Sequence, residues 1–353
     1  MQIHASNISG LGATQVVASL LKAARNKKTL RNYKIIISKN LQDIIFFQKI
    51  NNVKLYKRFL PNSVSRLIEC LLSNYIFQNV PTIVLGDIPL RGIKNQVVLV
   101  HQSNLIYPKI NKFSSKRISF RISRFLFNIN NKYAKKIIVQ TGSMANDLIK
   151  SYPEIKDKVI VCTQPAPSWL KKLPTPQNKK NKKIILFYPS AFYPHKRHDF
   201  LLKVNSFTKK KRINLDNIEV WVTLSDTNYA QFKGIEWIKN LGKLNSSQMN
   251  DIYSETDYLI FLSSIESYGL PLVEAIFLDI PIISVDFPYS RWLCEDKALY
   301  FQPYDEISFL EVITKDVLKK KTYRKTDYKS LKSKFTSSWD QVFSVFEYNL
   351  RNS

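Results

Sequence analysis

Short unbroken apolar runs alternate along this chain with longer stretches whose apolar residues recur three and four positions apart. The first pattern marks a strand buried on both faces, the second a helix with one buried stripe. On that reading YKIIIS (33–38), TIVLGD (82–87), QVVLVH (96–101) and KKIIVQT (135–141) are strands. Between the last two, Ile118, Ile122, Phe125, Leu126, Ile129 and Tyr133 share one helix face, a stripe expected to pack on the first sheet. A second series places strands at 183–190, 218–224, 257–264 and 281–286, with helices over HDFLLKVNSFTKK, SSQMNDIYSET and LPLVEAIFLD. Near the C-terminus Trp339, Val342, Phe343 and Phe346 are again at helical spacing. Strands alternating with helices predict parallel sheets and an α/β fold.

The segment APSWLKKLPTPQNKKNKK (166–183) has three Pro, six Lys and little periodicity, and reads as a basic linker. The expected order is an N-terminal Rossmann-like domain over 1–165, this linker, a C-terminal Rossmann-like domain over 184–335, and a helix over 336–353 packing back towards the first domain. Two such domains are expected to face each other across a cleft.

A chain of 353 residues with 44% hydrophobic residues is globular and long enough for two cores. The three Cys lie far apart without a CxxC, so neither a disulfide framework nor a zinc site is expected and a reducing cytosol suits them. No signal-peptide pattern follows Met1, and no apolar run has membrane-spanning length. The net charge of +27 is uneven: residues 1–180 hold 30 Lys+Arg against 6 Asp+Glu, leaving 24 against 21 for the rest. The first half is therefore expected to face something anionic. Residues 109–136 are its densest part, with nine Lys/Arg and no acid. Their basic face, with Phe120 and Phe127 off the stripe, is a candidate surface for anionic lipid.

The candidate chemistry sits in IESYGLPLVEA (265–275), where Glu266 and Glu274 flank a Gly and a Pro. The preceding strand ends near Ser264, and Pro271 suits a first helical turn. The loop then lies at the carboxyl end of a strand facing a helix N-terminus, where open α/β sheets bind ligands. Gly269 permits close approach or positive φ. Paired carboxylates accept well from vicinal hydroxyls, so a nucleotide sugar fits, with Glu274 expected in the first helical turn and both acids pointing into one crevice. Taken alone, the pattern also reads as an acidic helix start.

SSIESYGLPLVEAIFLDIPIISVD resembles the Glu-x7-Glu block of the GT4 glycosyltransferases, retaining enzymes of the GT-B fold. The resemblance extends to NLGKLNSSQMNDIYSETDYLIFLSS, ALYFQPYD and FYPSAFYPHKRHDFLL, and more weakly to SGLGATQVVASLL, VVLVHQSN and IIVQTGSMANDLIKSYPEIKDKVIV. It implies that Glu266 contacts the transferred sugar, Glu274 the nucleotide ribose, and the backbone of Tyr268, Gly269 and Leu270 the sugar hydroxyls and phosphate. Lys196 matches the diphosphate-binding Lys. The usual Arg position falls on Ala191, so either Lys196 acts with Arg197, His195 or another basic group, or diphosphate binding is built differently here. His101, at a strand's carboxyl end, matches a residue that meets the donor sugar. Gly10 and Gly12, before a helix expected near Thr14, fit a loop over the diphosphate.

The resulting expectation is a retaining, metal-independent hexosyltransferase using a nucleotide-diphosphate sugar. Its acceptor would be a glycan, lipid-linked as in O-antigen, capsule or lipopolysaccharide assembly. The enzyme would be cytoplasmic and peripheral on the inner face of the cell membrane, with no nucleic-acid partner. The alternatives are a non-catalytic basic protein for membrane or nucleic acid, and a GT-B-like phosphorylase or epimerase.

Overall fold

The computed structural model describes residues 1–8, 11–27, 32–37, 53–55, 62–171, 173, 183–318 and 326–352. Seven parallel strands make the first sheet: β1 (Gln2–Ala5), β2 (Lys34–Ile37), β3 (Val53–Leu55), β4 (Thr82–Val84), β5 (Gln96–Leu99), β6 (Lys136–Val139) and β7 (Val159–Val161), in the order 3-2-1-4-5-6-7. Six more make the second: β8 (Ile184–Tyr188), β9 (Ile218–Val222), β10 (Ile238–Asn240), β11 (Tyr258–Phe261), β12 (Ile282–Val285) and β13 (Leu299–Phe301), in the order 10-9-8-11-12-13. Both orders reverse direction after their first strand, the doubly wound arrangement. The predicted strands all form. β1, β3, β7 and β10, of three or four residues each, are too short to stand out as apolar runs.

The main helices are α1 (Leu11–Asn26), α2 (Asn62–Leu71), α3 (Ile118–Asn130), α4 (Gly142–Ser151), α5 (Asp199–Lys211), α6 (Ser246–Glu255), α7 (Leu270–Leu278), α8 (Pro288–Cys294) and α9 (Trp339–Arg351). The chain divides into two units, Met1–Pro165 with Phe335–Ser353, and Ala166–Lys334. The C-terminal helix α9 is part of the first unit, because Val342, Phe343 and Phe346 share a core with Val17, Leu20 and Leu21 of α1. Burying each such side chain contributes about 1.5–3 kcal/mol. The Tyr33 hydroxyl adds a 3.1 Å hydrogen bond to Glu347.

Two expectations change here. The stripe of α3 is split: Ile118 is 71% and Phe125 60% exposed and Ile122 is also exposed, whereas Leu126 is buried with Ile129 packed against its cluster. The inward face carries Arg124, Phe127 and Asn130 beside Leu126. Phe127, expected at a lipid surface, is fully buried among Val98, Ile137 and Leu148. Phe120 is half-buried. Arg124 can face inward because its guanidinium donates to the carbonyls of Asn104 (2.7 Å) and Ser115 (3.1 Å). The second change concerns the linker. Its first residues dock on α6, where Asn250 donates to the Trp169 carbonyl (2.8 Å) and accepts from the Lys171 amide (2.9 Å). They therefore group with the second unit.

Candidate active site

β8 and β11 are neighbours at the point where the second sheet reverses its order, and the loops leaving their carboxyl ends meet. The Ser264 amide donates to the His195 carbonyl at 2.7 Å, and the Ser264 hydroxyl to the same oxygen at 3.2 Å. Tyr188, fully buried at the end of β8, donates its hydroxyl to the Lys196 carbonyl. Tyr289 of α8 donates to the Ser263 carbonyl at 2.5 Å. These bonds fix two loops seventy residues apart, and Lys196 forms an ion pair with Glu266. Both side chains are mostly buried, and the Lys196 ammonium also lies 5.6 Å from the Phe261 ring centre.

The turn into α7 depends on Gly269, which caps the helix at φ 80°. A Cβ there would meet only Leu272 and Leu293 at 3.4 Å, so positive φ rather than close approach demands the glycine. Pro271 sits in the first turn, Tyr268 is buried, and Leu270 opens the helix.

Glu274 is not where the spacing put it. The helix starts at Leu270, so Glu274 is its fifth residue, past the first turn, and it is only 5% exposed. Its Oε2 accepts a 2.5 Å hydrogen bond from Tyr253 of α6. Burial pushes its carboxyl up to about 7, a rise that the Tyr253 bond opposes. Arg197 is also diverted. It forks onto Asp199 at 2.8 and 2.9 Å and stacks on Tyr304 at 4.2 Å. Its own backbone is left-handed, at φ 55°. His195 is held below the ordinary imidazole range by burial, which the Glu266 charge partly offsets. Buried His198 is pushed down to about 4, chiefly by desolvation and then by Lys196, and its ring packs at a tilt against Tyr188 and Phe192.

His101 and Gly12 belong to the first unit. His101 follows β5, and its amide and that of Gln102 both donate to Asp87 Oδ1, at 2.8 and 2.9 Å. Asp87 is buried and left-handed at φ 70°. The helix expected near Thr14 starts at Leu11, so Gly12 lies inside its first turn rather than in the loop before it. Gly10 lies outside the described residues.

Reading the sequence missed Tyr253, Asp87 and His198. Tyr253 sits in a helix stripe and looks like core. Asp87 follows a strand in LGDIP, where a turn Asp is ordinary. The HKRH run of His198 was the one available signal.

The profile of the glycosyl transferases group 1 family matches residues 171–332. The O-antigen chain mannosyltransferase RfbU of Salmonella typhimurium is 24% identical over 234 residues, 64% of this chain, and the chain spans only 61% of that relative's length. Among solved structures, Anabaena HepE, crystallised with UDP and glucose, superposes with a TM-score of 0.69 at 13% identity, covering 98% of both chains. WaaG, a glycosyltransferase involved in lipopolysaccharide biosynthesis, gives 0.69 at 12% identity over 98% of this chain and 99% of its own. The sheet orders, the loops joined at the second switch point and the match over 171–332 agree: residues 171–332 match the glycosyl transferases group 1 family, and the two Rossmann-like units have the GT-B fold.

Proposed function

We propose that the chain transfers a hexose from a nucleotide-diphosphate sugar to a glycan acceptor with retention of anomeric configuration. The observation carrying this reading is the Lys196–Glu266 pair at the β8/β11 switch point, beside the Gly269 turn into α7. The departing diphosphate gathers negative charge as the sugar–oxygen bond breaks. Lys196 and the first amides of α7 are the donors assigned to it. The acceptor hydroxyl attacks from the face the diphosphate leaves. It passes its proton to the leaving phosphate oxygen as the new glycosidic bond forms. Glu266 stabilises the cationic sugar centre between these events. Glu274, with one oxygen held by Tyr253, offers its second oxygen to the ribose hydroxyls.

The acceptor in this reading is a lipid-linked intermediate of surface polysaccharide, met at the inner face of the cell membrane. Its support is the similarity to an O-antigen mannosyltransferase and to a lipopolysaccharide glycosyltransferase. The test is a thermal-shift panel of GDP, UDP, dTDP and their sugars, followed by transfer with the best donor and NMR of the product's anomeric centre. Stabilisation by one nucleoside diphosphate and a product of unchanged anomeric configuration are expected. No response to any nucleotide would leave a basic binding protein as the better account. Donor phosphorolysis or epimerisation without transfer would point to the related enzyme classes.

A further inference from the structure

We infer that Arg197 and Tyr304 form a latch that positions Lys196, acting on the donor's diphosphate through that lysine rather than by touching it. The inference deepens the transfer reading and rests on Lys196 being a donor to the diphosphate. Among the described residues six side chains other than glycine sit on a left-handed backbone. Two of them, Arg197 at φ 55° and Tyr304 at φ 61°, meet each other: the guanidinium lies 4.2 Å from the centre of the ring. Left-handed φ is unfavourable for a bulky residue and persists where the surroundings over-determine it. Here two strained positions on separate loops stack together directly after Lys196.

The backbone around Lys196 is held on both sides. Ahead of it, the His195 carbonyl accepts from the amide and the hydroxyl of Ser264. The Lys196 carbonyl itself accepts from the buried Tyr188 hydroxyl. Behind it, Arg197 forks onto Asp199, the first residue of α5, and lies over Tyr304. Tyr304 comes from a third loop, between β13 and the helix Glu306–Glu311, which Asp305 caps by accepting from the Ile307 and Ser308 amides at 2.9 Å. Arg197, Ser264 and Tyr304 line one small cavity, so the latch and the Ser264 joint meet beneath the lysine loop. Asp199 is half-exposed, and an ion pair open to water contributes little to stability. What the arrangement does fix is the root of the Lys196 side chain. That long, flexible side chain must carry its ammonium from Glu266 to the diphosphate, and a fixed root reduces the ordering that binding requires.

The test is calorimetry of the full chain with GDP, UDP and dTDP, alongside donor kinetics. Arg197→Gly and Tyr304→Gly each remove one half of the latch and relieve one left-handed residue. Each should weaken nucleoside diphosphate binding about tenfold and raise donor KM more than it lowers kcat. Tyr304→Phe keeps the ring face and should bind as wild type does. In a Lys196→Ala background, adding Arg197→Gly should cause no further loss, because the residue through which the latch acts is gone. A further loss there makes Arg197 a direct ligand and overturns the proposal. So does tighter binding by Tyr304→Gly, in which a released guanidinium would turn to the phosphates. Wild-type affinity in both glycine variants also overturns it, and leaves the transfer reading standing. A wild-type chain that binds none of the three nucleotides sinks the transfer reading and this inference together.

Discussion

Replacing Glu274 by Gln keeps the shape of the side chain and an acceptor for Tyr253, but removes the charge. In the folded chain burial lifts this carboxyl from an ordinary 4.5 to about 7. Between those values the folded state holds a proton that the unfolded state has released. Stability therefore falls as pH rises through that window; the penalty is absent below it and complete above. Two and a half pH units at about 1.4 kcal/mol each give a cost of about 3.5 kcal/mol at pH 8. Glu274→Gln should escape that cost. At roughly 2–4 °C per kcal/mol for a unit of this size, it should melt about 7–14 °C above wild type near pH 8 and close to it near pH 4.5. Melting curves across that pH range measure the difference directly. A saturating nucleoside diphosphate should close the gap, because ribose hydroxyls stabilise the ionised form and the Gln variant gains less from them. A difference between variant and wild type that does not change with pH would refute the argument that burial of this carboxyl carries the penalty.

Lys196→Ala should weaken nucleoside diphosphate binding by about 10–100-fold in calorimetry. Glu266→Gln should leave that binding unweakened, because Lys196 loses its competing counter-ion, while transfer falls at least ~100-fold; full turnover would remove Glu266 from the mechanism. Asp87→Ala strips two amides of their acceptor and should cost about 1–3 kcal/mol of stability and lower kcat more than it raises donor KM, whereas kcat unchanged would make Asp87 purely structural. Gly269→Ala should cost about 1–2 kcal/mol by denaturation because φ is 80°, and a neutral result would show that the turn tolerates a side chain.

Local pattern was enough for the α/β class, the strands of four or more apolar residues, and the loop that carries Glu266, Gly269 and Pro271. Strand length, glycine punctuation and a proline start are properties of neighbouring residues, so they can be read without the fold. What was misread depended on partners far along the chain. The stripe of α3 is visible as a stripe, but which way it faces was decided by Arg124 finding carbonyls at Asn104 and Ser115 and by Phe127 finding the core. The depth of Glu274 was set by Tyr253, twenty-one residues earlier on another helix. Arg197 pairs with Asp199, and Lys196 reaches Glu266 where Ser264 joins the two loop backbones through the His195 carbonyl, with Tyr188 and Tyr289 each bracing one loop. Spacing thus determined which residues could serve. Burial and long-range hydrogen bonds, which exist only once the sheets have assembled, decided which of them were free to do so.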